Sequence, residues 1–344
     1  MTHALEPKEH PVKPTPFVTR VGDWQRAVVA LALFALFFPA LAHGQGDGAR
    51  FHWKGLSGTN VVPVLYTTVS GNTNPLDPSH TVVANGSFDA TLALAGYAKL
   101  FDISGRAASV AFLVPMGTLT GDIVAEGRTV TETAGGFGDP MAQFGLTVFG
   151  PKAMKTIPDV LRYEPKLSID VIGSLSVPLG EYHNNQTLNV GQNRFYGRVG
   201  AAVVWQIGSW APERRTTIEF VPAVWFFSDN TDFVGKTMST EPMVQLEGHV
   251  TRNFGKNLWG AFDAVWYTGG KATIDGVAGE KLSNLGAGFT LGYQLNDNTQ
   301  LTFGYGSTLN DANPTDLRLN QFRVTLTYGW HPLVEGMKRL EGGK

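Results

Sequence analysis

Histidine, serine and carboxylate residues are present, but not in the spacings that hydrolysis or metal binding needs. Of eight histidines, His3, His10 and His43 lie in or beside an N-terminal apolar stretch. There is no His-Glu-x-x-His, no Gly-x-Ser-x-Gly and no phosphate-binding loop. A hydrolase at a barrel rim would have to bring side chains such as His249 and Ser283 together. The 344 residues include no cysteine, which excludes disulfides, thiolate–zinc sites and thiol catalysis. The expectation is therefore no enzyme, no cofactor and no metal site. A net charge of −2, with only 16% charged residues, offers no basic excess for nucleic acid.

Charge recurs in another pattern. Asp89, Lys99, Asp170, Arg198, Glu219, Glu247 with His249, Asp263 and Arg323 fall on what reads as one parity of successive alternating segments. On a lipid-facing surface each would cost about 2–4 kcal/mol near the midplane, so the expected direction is inward. There they would form a polar track that sets selectivity, or paired charges that fill and stiffen a narrow barrel. Acidic residues outnumber basic ones on that parity, which disfavours anions.

The elements that would carry them are long strands. In residues 166–177, Leu167, Ile169, Val171, Gly173, Leu175 and Val177 alternate with Lys166, Ser168, Asp170, Ile172, Ser174 and Ser176. Residues 283–296 and 321–330 repeat this period of two. The polar parity is mostly Gly, Ser, Thr and Gln, which suits a confined wet lumen better than open solvent. Twelve such segments are expected: 60–70, 88–102, 105–121, 139–150, 164–178, 195–208, 214–229, 240–254, 256–269, 283–296, 298–309 and 318–330. Short turns at 102–105, 254–256 and 296–298 alternate with longer polar connections at 71–87, 122–138, 179–194, 230–239, 270–282 and 310–317. Residues 151–163 are the exception, long where a short turn is due. The fold class is thus all-β: a transmembrane antiparallel barrel of about twelve strands, with both termini periplasmic and the longer loops outside. Trp205, Trp210, Trp225, Phe226, Phe227, Trp259, Trp266, Tyr267, Tyr328 and Trp330 lie toward strand ends, where aromatic girdles are expected.

Arg20 and Arg26 precede the apolar run Ala27–Phe38, which ends in Pro39 and Ala40-Leu41-Ala42. The run has 12 residues, short of the roughly 20 that span a bilayer as a helix, and reads as a cleaved secretory signal. The expected organisation is a signal peptide at 1–42, a periplasmic segment at 43–59, the barrel at 60–330 and a tail at 331–344, with Gln45–Gly58 as a stretch that could fold inside and plug the lumen.

Several segments, in order, resemble a family of bacterial outer-membrane proteins named for the meta-pathway of phenol degradation. They are Val110–Gly121, Gly136-Phe-Gly-Asp-Pro140, Val177-Pro-Leu-Gly-Glu181, Asn189–Arg194, Leu285–Tyr293 and Arg323–Trp330. In the second of these, Gly136 and Gly138 supply unusual φ, Asp139 bonds nearby backbone and Pro140 fixes the start of a strand, making a loop-to-strand re-entry. The resemblance implies a transporter that helps aromatic or other hydrophobic compounds across the outer membrane. Its partners would be outer-membrane lipid, the outer-membrane assembly machinery and a small-molecule solute. Two other functions compete with this passive channel: a closed structural or adhesive barrel with no open pore, and a barrel enzyme.

Overall fold

The computed structural model of the chain describes residues 46–125, 128–164, 166–207, 212–310 and 312–342. The expected signal peptide and Trp210 lie outside them. Among the described residues seventeen strands are formed: β1 (Asn60–Gly71), β2 (Ser87–Ile103), β3 (Arg106–Ala125), β4 (Arg128–Phe137), β5 (Met141–Phe149), β6 (Leu167–Ser176), β7 (Tyr196–Ile207), β8 (Thr216–Phe227), β9 (Asn230–Phe233), β10 (Lys236–Thr240), β11 (Met243–Asn253), β12 (Leu258–Gly269), β13 (Ala272–Ile274), β14 (Val277–Ala278), β15 (Leu282–Gln294), β16 (Thr299–Thr308) and β17 (Leu319–Trp330).

Each of the twelve expected segments forms one strand of a closed antiparallel barrel. The ring runs β1-β2-β3-β5-β6-β7-β8-β11-β12-β15-β16-β17. It is sealed by pairing β1 with β17 from Asn60↔Trp330 to Gly71↔Leu319. Closure is what lipid demands, because an unpaired strand edge has no water to satisfy its N–H and C=O groups. Among the described residues no helix is long and apolar enough to cross a membrane. The outward parity carries large apolar side chains on successive strands, such as Phe112, Val199, Phe220, Phe262, Phe289 and Phe322, all exposed.

At the end of the barrel opposite Asn60 and Trp330 the connections hold more structure than their polar composition suggests. Residues 122–138 are not a loop: the upper half of β3 pairs with β4 from Met116↔Phe137 to Ala125↔Arg128. Thr129, Val130, Thr131 and Thr133 are strand formers, and above the lipid a strand needs no apolar face. The loops at 230–239 and 270–282 supply β9, β10, β13 and β14, which join in a separate four-stranded sheet. The long connection 151–163 contains the helix Ile157–Arg162, whose start is closed by a capping box between Thr156 and Asp159. A second helix, Pro332–Gly342, follows the last strand.

The aromatic expectation divides. Trp205, Phe226 and Tyr328 face outward and are exposed. Trp225, Trp259 and Tyr267 are only 9%, 4% and 4% exposed and face the interior. Their polar tips and π faces are used there: Trp225 Nε1 donates to Gln245 Oε1 at 2.6 Å, and the Arg50 guanidinium lies 4.0 Å from the Trp259 ring centroid.

The Gly136–Pro140 motif also differs from the loop-to-strand reading. β4 and β5 both lie along β3, one on Met116–Ala125 and the other on Ala108–Leu113. They are two pieces of one wall strand, broken at residues 138–140. Gly138 N–H reaches back to Pro115 O at 2.8 Å. Asp139 bonds not its neighbours but a distant loop, accepting from Gly180 N–H at 2.9 Å and Gln192 N–H at 2.8 Å. Gly136 adopts φ +128°, and a Cβ there would lie 2.2 Å from the Glu181 carboxyl carbon. Three of the motifs in the sequence, around residues 136–140, 177–181 and 189–194, therefore meet at one break in the wall. Replacing Asp139 with Ala should strand two amides and cost about 2–3 kcal/mol locally. Hydrogen exchange at Gly180 and Gln192 should accelerate selectively, leaving β6 protected.

Candidate functional site in the barrel lumen

Alternation puts one face of each strand inside, and two very different inner walls result. Across β6, β7, β8, β11 and β12 the wall is ionic. Asp170, Arg198, Glu219, Glu247, His249 and Asp263 are all buried there. His249 bridges two carboxylates, with Nε2 2.8 Å from Glu247 Oε1 and Nδ1 2.6 Å from Asp263 Oδ1. Thr290 donates to Asp263 at 2.7 Å. Arg323 reaches the same region, 3.4 Å from Thr290 Oγ1. Gly304 leaves room for it, since a Cβ there would lie 2.7 Å from Arg323 Nε.

Asp89 and Lys99 do not join this group. Both are exposed and face outward, with Asp89 opposite Ser70 and Thr120 and Lys99 opposite Asn60 and Val110. They sit toward the two ends of β2, where an outward charge costs little and a lysine stem reaches the interface. The parity facing inward on β2 is the apolar one. Leu100, Leu94, Leu92, Ala90 and Phe88 share that face, and the register sets Leu113, Pro115 and Leu119 of β3 beside them. An apolar strip thus runs the length of the barrel alongside the ionic wall.

Residues 43–59 are expected as a periplasmic segment that could fold inside, and of the described residues 46–58 lie against the inner wall. The segment descends from Gly46, beside Glu247, to Gly58, beside His331 at the closed end of β17. Glu247 accepts from the Asp47 and Gly48 amides at 3.2 and 3.0 Å. Glu219 accepts from the Arg50 amide at 3.0 Å and from Trp53 Nε1 at 3.0 Å. Asp47 pairs with Arg198, and Lys54 with Asp170. Leu56 then forms a parallel bridge with Met154. Every wall charge from Asp170 to Glu247 is thereby engaged by the segment. The signal for this partner was in the sequence, as Asp47, Arg50 and Lys54 complement the wall, but strand patterning alone does not place a non-strand segment.

Above the segment, loops close the lumen around an apolar cluster that includes Leu119, Leu188, Met243, Leu282, Leu317 and Leu319. Its polar latch is Arg194, 1% exposed. The guanidinium donates to Asp77 Oδ1 at 2.7 Å, Ser79 Oγ at 3.0 Å and Thr240 Oγ1 at 2.6 Å, tying together three loops. Burial alone would raise the Asp77 carboxyl, but Arg194 and Ser79 hold it below the usual carboxylate range. Burial pushes neighbouring His80, packed edge-on against Tyr267, down to about 4.

Among the described residues no group of His, Asp and Glu is arranged to hold a metal ion. His249 and Ser283 do not converge, since Ser283 is exposed on the outward parity opposite Thr268 while His249 faces in.

A closed barrel with short turns at one end, long loops at the other and a lipid-facing apolar band defines the class as an outer-membrane β-barrel. The chain belongs to the family described as "Putative MetA-pathway of phenol degradation", whose model matches residues 71–326. It is similar in fold to an outer membrane channel from Pseudomonas putida F1, with 19% identity and a TM-score of 0.64 over 83% of this chain and 99% of that one. The β domain of the Bordetella autotransporter BrkA aligns with 10% identity and a TM-score of 0.45, over 79% of this chain and 99% of that one. No curated protein matches the sequence.

The loop latch should respond to acid in one direction. His80 is held near 4 in the folded loops against an ordinary 6.5, so the folded state binds fewer protons than the open one. Its contribution to closure is full above about 6.5 and is lost as pH falls toward 4. The depressed Asp77 acts with the same sign, below its ordinary 3.8. Hydrogen exchange of residues 72–86, corrected for intrinsic rates, should rise between pH 6.5 and 4. His80→Gln should flatten that rise.

Proposed function

We propose that this protein is a passive outer-membrane channel for small molecules, aromatic and other hydrophobic compounds among them. The carrying observation is the apolar strip of β2 and β3, from Leu100 through Leu94 and Leu113 to Phe88, lying inside a barrel where a polar wall would be ordinary. An apolar solute moving along it would keep contact with Leu and Pro side chains while the ionic wall stays bonded on the other side. Membership of a family associated with phenol degradation and the fold shared with the P. putida outer membrane channel support the same reading. The lumen is filled by a chain segment and by loops rather than by wall side chains alone, and such fillings move without breaking the barrel ladder.

The polar track belongs to this proposal in an altered form. In mid-lumen, among the described residues, the wall presents Asp170, Glu219, Glu247 and Asp263 against Arg198 and Arg323, and the inner segment, with Arg50 and Lys54 against Asp47, offsets part of the excess. Displacing the segment would leave a lumen that favours cations.

A second reading, a closed structural barrel, draws on the loop closure around Arg194. Planar-bilayer recording and uptake assays separate the two. Deleting residues 46–56 should convert rare, small openings into stable steps with cation preference, which Glu219→Ala and Asp263→Ala should weaken. Leu94→Asn should slow uptake of labelled phenol by cells several-fold while leaving ion conductance near wild type. If the deletion gives no steps and cells with and without the protein take up phenol equally, the closed barrel stands.

A further inference from the structure

One cavity lies outside the lumen. It is a concave groove of about 490 Å³ on the outer face of β16, β17, β1, β2 and β3, at the loop end. Its walls follow the cross-strand register. One row across the wall is Tyr305, Phe322, Thr68, Thr91 and Thr118. The next row, farther from the termini, brings Ser70, Asp89 and Thr120 side by side, with Asn320 against Ser70. The row on the other side is apolar: Phe303, Val324, Tyr66, Ala93 and Met116. The groove therefore begins where the lipid-facing band stops, and it turns from aromatic to hydroxyl-bearing within two rows.

We propose that this groove seats the saccharide headgroup of an outer-leaflet glycolipid. Each hydroxyl both donates and accepts, Asp89 adds a fixed acceptor, and Asn320, whose Oδ1 already accepts from Ser307 at 2.6 Å, adds an amide donor, so the surface matches the dense hydroxyls of sugar rings. The Tyr305 and Phe322 rings at the lower rim offer apolar faces to the C–H side of a sugar. No lysine or arginine lines the groove, so a bare phosphate group finds no counter-charge there. Continuity with the apolar row selects a lipid-linked sugar over a free one. Acyl chains lying over Val324, Tyr66 and Met116 would deliver their headgroup into the groove. The inference does not depend on whether the lumen conducts.

The test uses the full-length barrel in detergent, delipidated, with binding of diglucosyl diacylglycerol, a glycolipid whose sugars carry no charge, read by native mass spectrometry. Wild type should take up one glycolipid per barrel. Thr91→Leu with Thr118→Leu, which fills the groove floor, should weaken binding by about tenfold or more, and Asp89→Leu should weaken it independently. All three positions are exposed at the edge of the lipid band, and a heat-modifiable gel shift will confirm the fold of each variant. Equal uptake by wild type and both variants would overturn the proposal. So would equal binding of phosphatidylglycerol, or binding of the delipidated saccharide as tight as that of the intact glycolipid.

Discussion

The absence of water in lipid sets the terms for this protein. Every strand must be paired on both sides, so β1 must meet β17, and a ring of twelve tilted strands follows. Closure settles the exterior and creates a problem inside. A ring of this size encloses more space than its own inward side chains fill, and part of its inner wall is charged. Buried carboxylates such as Glu219 and Glu247 are tolerated only when they are bonded. The chain supplies those bonds from its own N-terminal side, through the Arg50 and Gly48 amides, Trp53 and Lys54. The segment at 46–58 is thus the consequence of an ionic wall inside a closed barrel.

The same constraint explains where the wall departs from regularity. At residues 138–140 the strand alongside β3 breaks, and its backbone groups would be stranded without a substitute. Asp139 and the loop at 177–194 provide it, with Gly180 and Gln192 donating to one carboxylate and Gly191 and Glu181 continuing the chain of backbone bonds. Glycines at 136, 138 and 180 permit the close approach. Three of the short motifs, around residues 136–140, 177–181 and 189–194, are parts of this one junction, which then hands Arg194 to the loop latch.

Strand existence was legible because period-two alternation over ten or more residues is the mark of a strand with two unlike faces. Connection lengths were legible because turns and loops differ in composition. Orientation within β2 was not. Its two parities read Asp89, Thr91, Tyr97, Lys99 and Phe88, Leu92, Leu94, Leu100, and a rule that sends charge inward chooses the wrong one. The charges lie beyond the lipid band, and the leucines pack against the inner segment and loops, where Gly55 comes within reach of Leu100. Trp225 and Trp259 mislead for a related reason. An aromatic near a strand end is an interfacial anchor or an inner-wall partner according to parity, and its position along the chain does not say which. The inner segment itself has no periodicity to detect.

The central claim is that residues 46–58 occupy the lumen against the ionic wall. The natural absence of cysteine makes it directly measurable, because any thiol pair introduced is the only one. Lys54→Cys combined with Asp170→Cys should be bridged in high yield by a short bifunctional thiol reagent in the folded barrel. Lys54→Cys combined with Ile169→Cys, one residue away on the lipid-facing parity, should not. Equal cross-linking of the two pairs, or none of either, would place the segment outside the lumen and contradict this structure of the barrel interior.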